Sequence, residues 1–444
     1  MVPHRRAAWS ALALLVVSPR VVAQSQPPSA SAQPTARVTV SQPADAGEPD
    51  GDDDPEDPGT GAIPTALRLE RVGRAPLALS HVCDLTPFRS ALYAAHARMP
   101  LGSDGATITR YAPADPHPFS VAFDWNRPGQ PRAGGGGGQG FVRVHAIGGR
   151  LFVPDADPPY AGFGIAFPGT EGYVFVSDRD GVFAPPRGPR LLPPGRPDAT
   201  ARAGAAVVPR AYHVLDVIRY RGRYYAATGS VPPGQRAWVG ASPGALHAAD
   251  ASLGTWAYEV DYPHPWQPGV WRLGYMVRFR ARLYMGIQDY DGREPNDYVW
   301  ALPPAGADAV VRLDMHPQRV TASGGALTLR WYADRGRLYW IAFERQSRTV
   351  SLRVTEDGDR WQYVSLPAGA GVPTDITRFR DGVVVLTSRG LWRVDGSVPT
   401  RLADVPVDAR GRSAFDVNDI FCAAPIAVFQ NTLYAGGQRD GALY

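Results

Sequence analysis

Six side chains able to do polar chemistry recur at one fixed place in a repeated pattern: Asp84, Arg143, Asp216, Tyr275, Arg330 and Asp375, with Pro425 in the seventh place. Each opens a thirteen-residue motif. The copies are DLTPFRSALYAAH, RVHAIGGRLFVPD, DVIRYRGRYYAAT, YMVRFRARLYMGI, RWYADRGRLYWIA, DITRFRDGVVVLT and, more divergent, PIAVFQNTLYAGG. Carboxylates set beside guanidinium groups and a phenol could clamp a polar ligand, hold a cation, or supply an acid and a base. The same set could instead neutralise itself as an ion-pair collar that only holds structure.

What positions these residues is legible in the motif itself. A strand of about six residues leads to a tight turn containing Gly, Asn or Ser, and an apolar strand follows, which is the pattern of a β-hairpin. The ninth residues of the copies are Leu92, Leu151, Tyr224, Leu283, Leu338, Val383 and Leu433. Their spacing, mostly near 50 residues, leaves room for two more strands per copy, such as 237–239 and 256–260 or 349–354 and 361–365. The expectation is an all-β, seven-bladed β-propeller, with six blades as the alternative. Too few residues follow Leu433 for a complete blade, so 67–72 are expected to supply the outer strand of a blade shared by both termini, removing open sheet edges.

In such a ring the inner strand of each blade runs along the central channel. The first residue of every motif then rings the channel mouth. Two long loops join it: 154–172 with Asp155, Asp157 and Tyr160, and 288–297 with Asp289, Asp291 and Glu294. The last three are the one calcium candidate, although Gly292 comes too early for an EF-hand loop. No other cofactor is expected. Arg219, Arg278 and Arg378 share the fourth position, toward the hairpin turns at the opposite end of the channel. His81, His145 and His213 flank ring residues without the spacing of a zinc site. The elbow-like run Gly240-Ala-Ser242-Pro-Gly244 fails on chemistry, because Pro243 has no N–H to offer an oxyanion.

Cysteine use supports closure. The two cysteines, Cys83 and Cys422, lie at opposite ends of the sequence, each just ahead of an inner strand. A closed ring makes those strands neighbours, and a disulfide between them is expected in an oxidising compartment.

Composition bounds the rest. Residues 1–23 read as a signal peptide, with Arg5 and Arg6 ahead of a short apolar stretch and a small-residue cleavage site. Residues 24–62, rich in Pro, Ala, Ser and acid, read as a disordered linker, and 63–444 as the propeller. The chain is therefore expected to be exported, to the periplasm, the cell surface or the medium, with no transmembrane helix in its mature form. Its 444 residues contain no lysine, which excludes Schiff-base chemistry. The arginines are spread over all copies rather than gathered in a stripe, so nucleic acid is not an expected partner.

One turn carries a resemblance. Thr355-Glu-Asp357-Gly358-Asp-Arg-Trp361 resembles the short form of an Asp-box, the Ser/Thr-x-Asp-Gly-x-x-Trp turn of the bacterial-neuraminidase-repeat (sialidase-like) propellers. Ser177 to Phe183, with Asp180 and Gly181, is similar, and Ser252-Leu-Gly254-Thr-Trp256 keeps part of it. The resemblance implies a propeller whose aspartate and glycine shape a turn between third and fourth strands. The arginine triad, acid/base aspartate and Tyr–Glu pair of sialidases have no matching positions here. The expectation is thus a monomeric binding or interaction module acting through the channel mouth on a glycan, small polar ligand or protein. A sialidase- or lyase-like enzyme using Asp84, Asp216 or Asp375 is one alternative, and a structural cell-envelope protein is the other.

Overall fold

A computed structural model describes residues 57–77, 79–97, 105–125, 140–156, 172–183, 207–230, 244–261, 271–289, 300–302, 326–344, 347–419 and 421–444. The expected signal peptide and most of the expected linker lie outside these residues. Among them every regular element is a strand, and no helix is long and apolar enough to cross a membrane.

All seven repeats form antiparallel hairpins in the expected register. Phe88 pairs with Ala91, Tyr220 with Arg223 and Phe429 with Thr432 across two-residue turns. The turns work because their residues enter the left-handed region: Gly148 and Gly149, Arg221 and Gly222, Arg335 and Gly336, Gln430 and Asn431 all have positive φ. Two positive φ values in succession match the twist of the flanking strands. The fourth turn does this with Arg280 and Ala281, at φ 48° and 56°.

Five hairpins extend into complete four-stranded antiparallel sheets. The first comprises His81–Phe88, Ala91–Ala97, Thr107–Tyr111 and Phe119–Asp124, and the second His145–Ile147, Arg150–Pro154, Gly172–Val176 and Val207–Val208. The third comprises Ala211–Tyr220, Arg223–Ser230, Gly244–Ala249 and Ala257–Asp261. The fifth repeat gives Ala326–Asp334, Arg337–Glu344, Thr349–Thr355 and Gln362–Tyr363, and the sixth Pro373–Phe379, Gly382–Thr387, Gly390–Arg393 and Thr400–Asp404. The chain is a β-propeller.

The expected blade count is corrected. Five complete blades are present among the described residues, not seven or six. Among the described residues, the fourth hairpin, Trp271–Phe279 with Arg282–Asp289, is joined only by Trp300–Leu302. The seventh, Ile426–Phe429 with Thr432–Ala435, meets the chain end through mutual backbone bonds between Ala435 and Tyr444 at 2.9 Å. Counting hairpins counts inner strand pairs, and outer strands depend on connections that carry no repeat signal. The third repeat shows this too: its third strand is Gly244–Ala249, whereas 237–239, expected there, lie outside the described residues.

Inner strands follow one another in order around a circuit, and the strand of the seventh hairpin lies against that of the first. The two ends of the fold meet here. Gly73–Arg74 pairs with Ala442–Leu443, and the Val72 amide donates to Leu443 O at 2.8 Å. The terminal strand therefore starts later than the expected 67–72, and Leu67 instead donates its amide to Leu402 O of the sixth blade at 2.7 Å. Residues 57–62, expected as linker, are also bound: the Arg380 amide donates to Pro58 O, and the Thr60 amide to Asn431 Oδ1 at 3.2 Å. Cys83 and Cys422 form a disulfide, with Cα atoms 4.6 Å apart.

Between blades the core is aromatic. Phe123 of the first blade packs on Phe141 and on Phe175 of the second, and Trp125 on Phe175, with ring centroids 4.8–5.7 Å apart. Large rings fill the wedge where adjacent twisted sheets diverge, and each contributes a large buried area.

Candidate functional site

Position one of the motif is built by a backbone irregularity. The register slips between Val82 and Asp84, Val214 and Asp216, Thr328 and Arg330, and Pro373 and Asp375. A bulge of this kind re-aims the side chain beside it. Here it brings the ring residues together: Asp84, Arg143, Asp216, Tyr275, Arg330 and Asp375 are all buried. They were expected to ring the channel mouth and are buried; Asp84, Asp216, Arg330 and Asp375 each follow a bulge in their own strand, whereas Arg143 precedes its strand and has none.

Each aspartate joins two repeats. Asp84 Oδ2 accepts the Val144 amide at 3.0 Å, Asp216 Oδ2 the Met276 amide at 2.7 Å, and Asp375 Oδ2 the Ile426 amide at 2.8 Å. In every case the donor is the second residue of the following motif. Such a hydrogen bond is worth about 1.5–3 kcal/mol when the carboxyl is ionised and about 0.5–1.5 kcal/mol when it is neutral, so the three bonds fasten the repeats together.

The remaining groups bridge the interior. Arg330 lies 3.2 Å from Asp375 Oδ1 and 3.5 Å from Asp84 Oδ1, and it donates to Cys83 O beside the disulfide. Arg143 sits 3.4 Å from Asp84 Oδ1 and stacks 4.0 Å from the centroid of Tyr275. Tyr275 donates its hydroxyl to Phe421 O at 2.8 Å, and Trp331 Nε1 donates to Tyr275 O. His145 Nε2 is 2.6 Å from Asp216 Oδ1. Three carboxylates thus face two guanidinium groups, and a protonated His145 would balance the set.

Burial pushes the carboxyl groups of Asp84 and Asp375 up, Asp375 to about 7, with each other's charge adding to the effect at Asp375 and the Ile426 amide opposing it. Burial opposes protonation of His145, but the charge and hydrogen bond of Asp216 outweigh it and hold its pKa above the usual value. A carboxyl near 7 is what a general acid needs. Here its cause is enclosure and crowding, which a structural collar produces equally well.

The other expected residues are dispersed. Asp155 is buried at the end of its hairpin strand, its amide bonded to Tyr173 O, while Asp157 and Tyr160 lie outside the described residues. So do Asp291 and Glu294, and Asp289 is described only as the last residue of its strand. No cluster of three or more potential metal ligands occurs among the described residues. Arg378, at the fourth position of its motif, is held by Asp334 in a two-pronged pair at 2.6 and 2.5 Å. His213 bonds Ala156 O at 3.0 Å.

The turn at Thr355 is a closed polar knot. Asp357 Oδ1 accepts the amides of Asp359 and Arg360, each at 2.8 Å, and Thr355 Oγ1 accepts the Gly358 amide at 2.9 Å. Those bonds hold the Asp357 carboxyl down at about 2. Gly358 has φ +83°, and a Cβ there would meet Tyr284 Oη at 2.1 Å. Trp361 packs against Trp340, with centroids 5.5 Å apart.

A second turn type escaped the sequence reading. In the run from Ser177, the working aspartate is Asp178, not Asp180: its Oδ1 accepts the amides of Asp180 and Val182 at 2.8 and 2.9 Å. Asp408 repeats the geometry on Arg410 and Arg412, both at 2.9 Å. Gly181 and Gly411 take the positive φ in these turns. The available signal was an aspartate followed by glycine three residues later.

No protein-family model and no curated protein matches the chain. Similar solved structures include the β-propeller domain of the Trilobed protease from Pyrococcus furiosus, at 9% identity over 73% of this chain and 98% of that one, TM-score 0.32. A family 117 glycoside hydrolase from Zobellia galactanivorans is 15% identical over 56% of this chain and 75% of its own, TM-score 0.33. A puromycin-hydrolysing peptidase from Mycobacterium tuberculosis is 13% identical over 88% of this chain, which spans only 56% of that protein, TM-score 0.44. At such identities and TM-scores the likeness carries no argument.

Proposed function

We propose that the protein is an exported binding module in which the buried ring is a structural collar rather than a reaction centre. One observation carries this reading: each ring aspartate commits Oδ2 to an amide of the next repeat. A carboxylate so employed cannot swing to a substrate without opening the join it makes. The partner is taken to be a glycan, small polar ligand or protein, met on an outer surface by a monomer. The disulfide is consistent with a compartment outside the cytoplasm. The Thr355 turn is read as an Asp-box, which on this proposal shapes the fold and takes no part in catalysis.

The test pairs binding with turnover. Purified protein would be incubated with a panel of polysaccharides and sialosides while reducing-end release, unsaturated product and melting temperature are followed. The expected result is a rise in melting temperature with at least one ligand and no product. Product formation that disappears in Asp375→Asn, with the fold retained, would overturn the reading in favour of a carbohydrate-active enzyme.

A further inference from the structure

Between the fifth and sixth blades, away from the ring, lies a groove of about 630 Å³. Small-molecule sites span about 300–1,000 Å³. One wall is the outer edge of the fifth blade, with Arg360, Gln362 and Tyr363; the other is the turn of the sixth blade, with Asp395 and Ser397.

Tyr363 is 57% exposed, the one large aromatic side chain so open among the described residues. It is nevertheless held in place. The fully buried Arg353 guanidinium sits 5.1 Å from its centroid and 4.6 Å from that of Trp340, so the cation is layered between two rings. Arg353 is in turn paired with Glu344 at 2.9 Å, and the Tyr363 hydroxyl reaches the same carboxylate at 3.4 Å. A fixed aromatic plate on a groove wall loses little freedom when a ligand stacks on it.

The charges lining the groove nearly cancel. Arg337 lies 3.1 Å from Glu356, Asp395 is held by Arg393 at 2.8 Å, and Asp357 is spent on its own turn. A strongly charged ligand would find no net field to favour it. Groups that both donate and accept, next to an aromatic plate, match vicinal hydroxyls above an apolar ring face.

We propose that this groove binds a short neutral oligosaccharide, stacked on Tyr363 and hydrogen-bonded to Gln362, Arg360 and the Asp395–Ser397 turn. This rests on the binding-module reading and supplies the site that the buried ring does not. Titration calorimetry with cellotetraose, laminaritetraose, maltotetraose, β-1,4-galactotetraose and chitotetraose, with sialyllactose and chitosan tetramer as charged controls, tests it. One or more neutral tetramers should bind, at least ten-fold more weakly to Tyr363→Ala, and within about three-fold of wild type to Tyr363→Phe, which keeps the stacking face. Melting temperature should fall only modestly in Tyr363→Ala, which uncovers one side of Arg353, and stay near wild type in Tyr363→Phe, so weaker binding cannot be put down to unfolding. Affinity unaltered by Tyr363→Ala, preference for a charged control, or no neutral tetramer bound would overturn the groove assignment. Turnover of a bound tetramer would instead overturn the non-catalytic reading while leaving the groove intact.

Discussion

Asp375 accepts the backbone N–H of Ile426 at 2.8 Å, and that one bond ties the sixth blade to the hairpin on which the ring closes. Asp84 and Asp216 make the same join to Val144 and Met276. The acceptor is the first residue of one motif and the donor the second residue of the next, so the repeat encodes a fastener as well as a hairpin.

Cutting such a fastener strands its partners. Asp216→Ala leaves the Met276 amide without its acceptor and His145 without its carboxylate. Removing one partner of a buried charged pair costs about 3 kcal/mol or more. Urea titration is expected to show a lower midpoint with an unchanged slope, and a loss no larger than that of an exposed substitution would refute the collar.

Stability should depend on pH through Asp375. Its folded carboxyl, near 7, is above its unfolded value, so the folded state keeps a proton that the unfolded chain releases. The resulting stabilisation is complete below about pH 4 and is lost as pH rises through about 7. His145, also raised, acts in the same direction. His96 and His247, pushed down to about 4 by burial, act oppositely: their contribution is present above about pH 6.5 and lost as pH falls through about 4. These opposing contributions overlap, so the carboxyl is isolated by difference: the urea midpoint of the wild type should lose ground relative to that of Asp375→Asn as pH rises from about 4 to 8.

The disulfide closes a very long loop, Cys83 and Cys422 standing 339 positions apart in the sequence. Chain entropy alone gives such a bridge about 5–6 kcal/mol. Reduction, or Cys83→Ser with Cys422→Ser, should lower the melting temperature by several degrees, read by calorimetry under matched conditions. An unchanged melting point would mean that the terminal strands and the ring hold the closure without it.

At the Thr355 turn, Asp357→Ala should release the amides of Asp359 and Arg360, which then exchange with deuterium faster while the blade's inner strands keep their protection. Gly358→Ala faces both the left-handed φ and the Tyr284 hydroxyl. The backbone conformation alone costs about 1–2 kcal/mol, so this variant should be the less stable of the two. Equal exchange in wild type and Asp357→Ala would show that the turn holds without the carboxylate.

The hairpins were legible because their information is local. Alternating apolar residues and a left-handed turn specify a strand pair wherever it sits, and seven copies in series specify a ring of such pairs. The pairing of Cys83 with Cys422 followed from ring closure together with the expected export, there being only two cysteines. Outer strands were less legible. Gly244–Ala249 and Gly73–Arg74 are placed by whichever edge is open beside them, and Trp300–Leu302 follows a connection with no repeat signal.

Sequence also named the ring residues but not their circumstances. Asp84, Arg143, Asp216, Tyr275, Arg330 and Asp375 are identifiable by their shared position. That they are buried, that each aspartate reaches an amide of the next repeat, and that Arg330 spans to Cys83 O depend on where bulges point the side chains. Burial and charge balance arise from groups hundreds of residues apart along the chain. The groove at Tyr363 is of the same kind, because its walls belong to two blades that meet only once the propeller has formed.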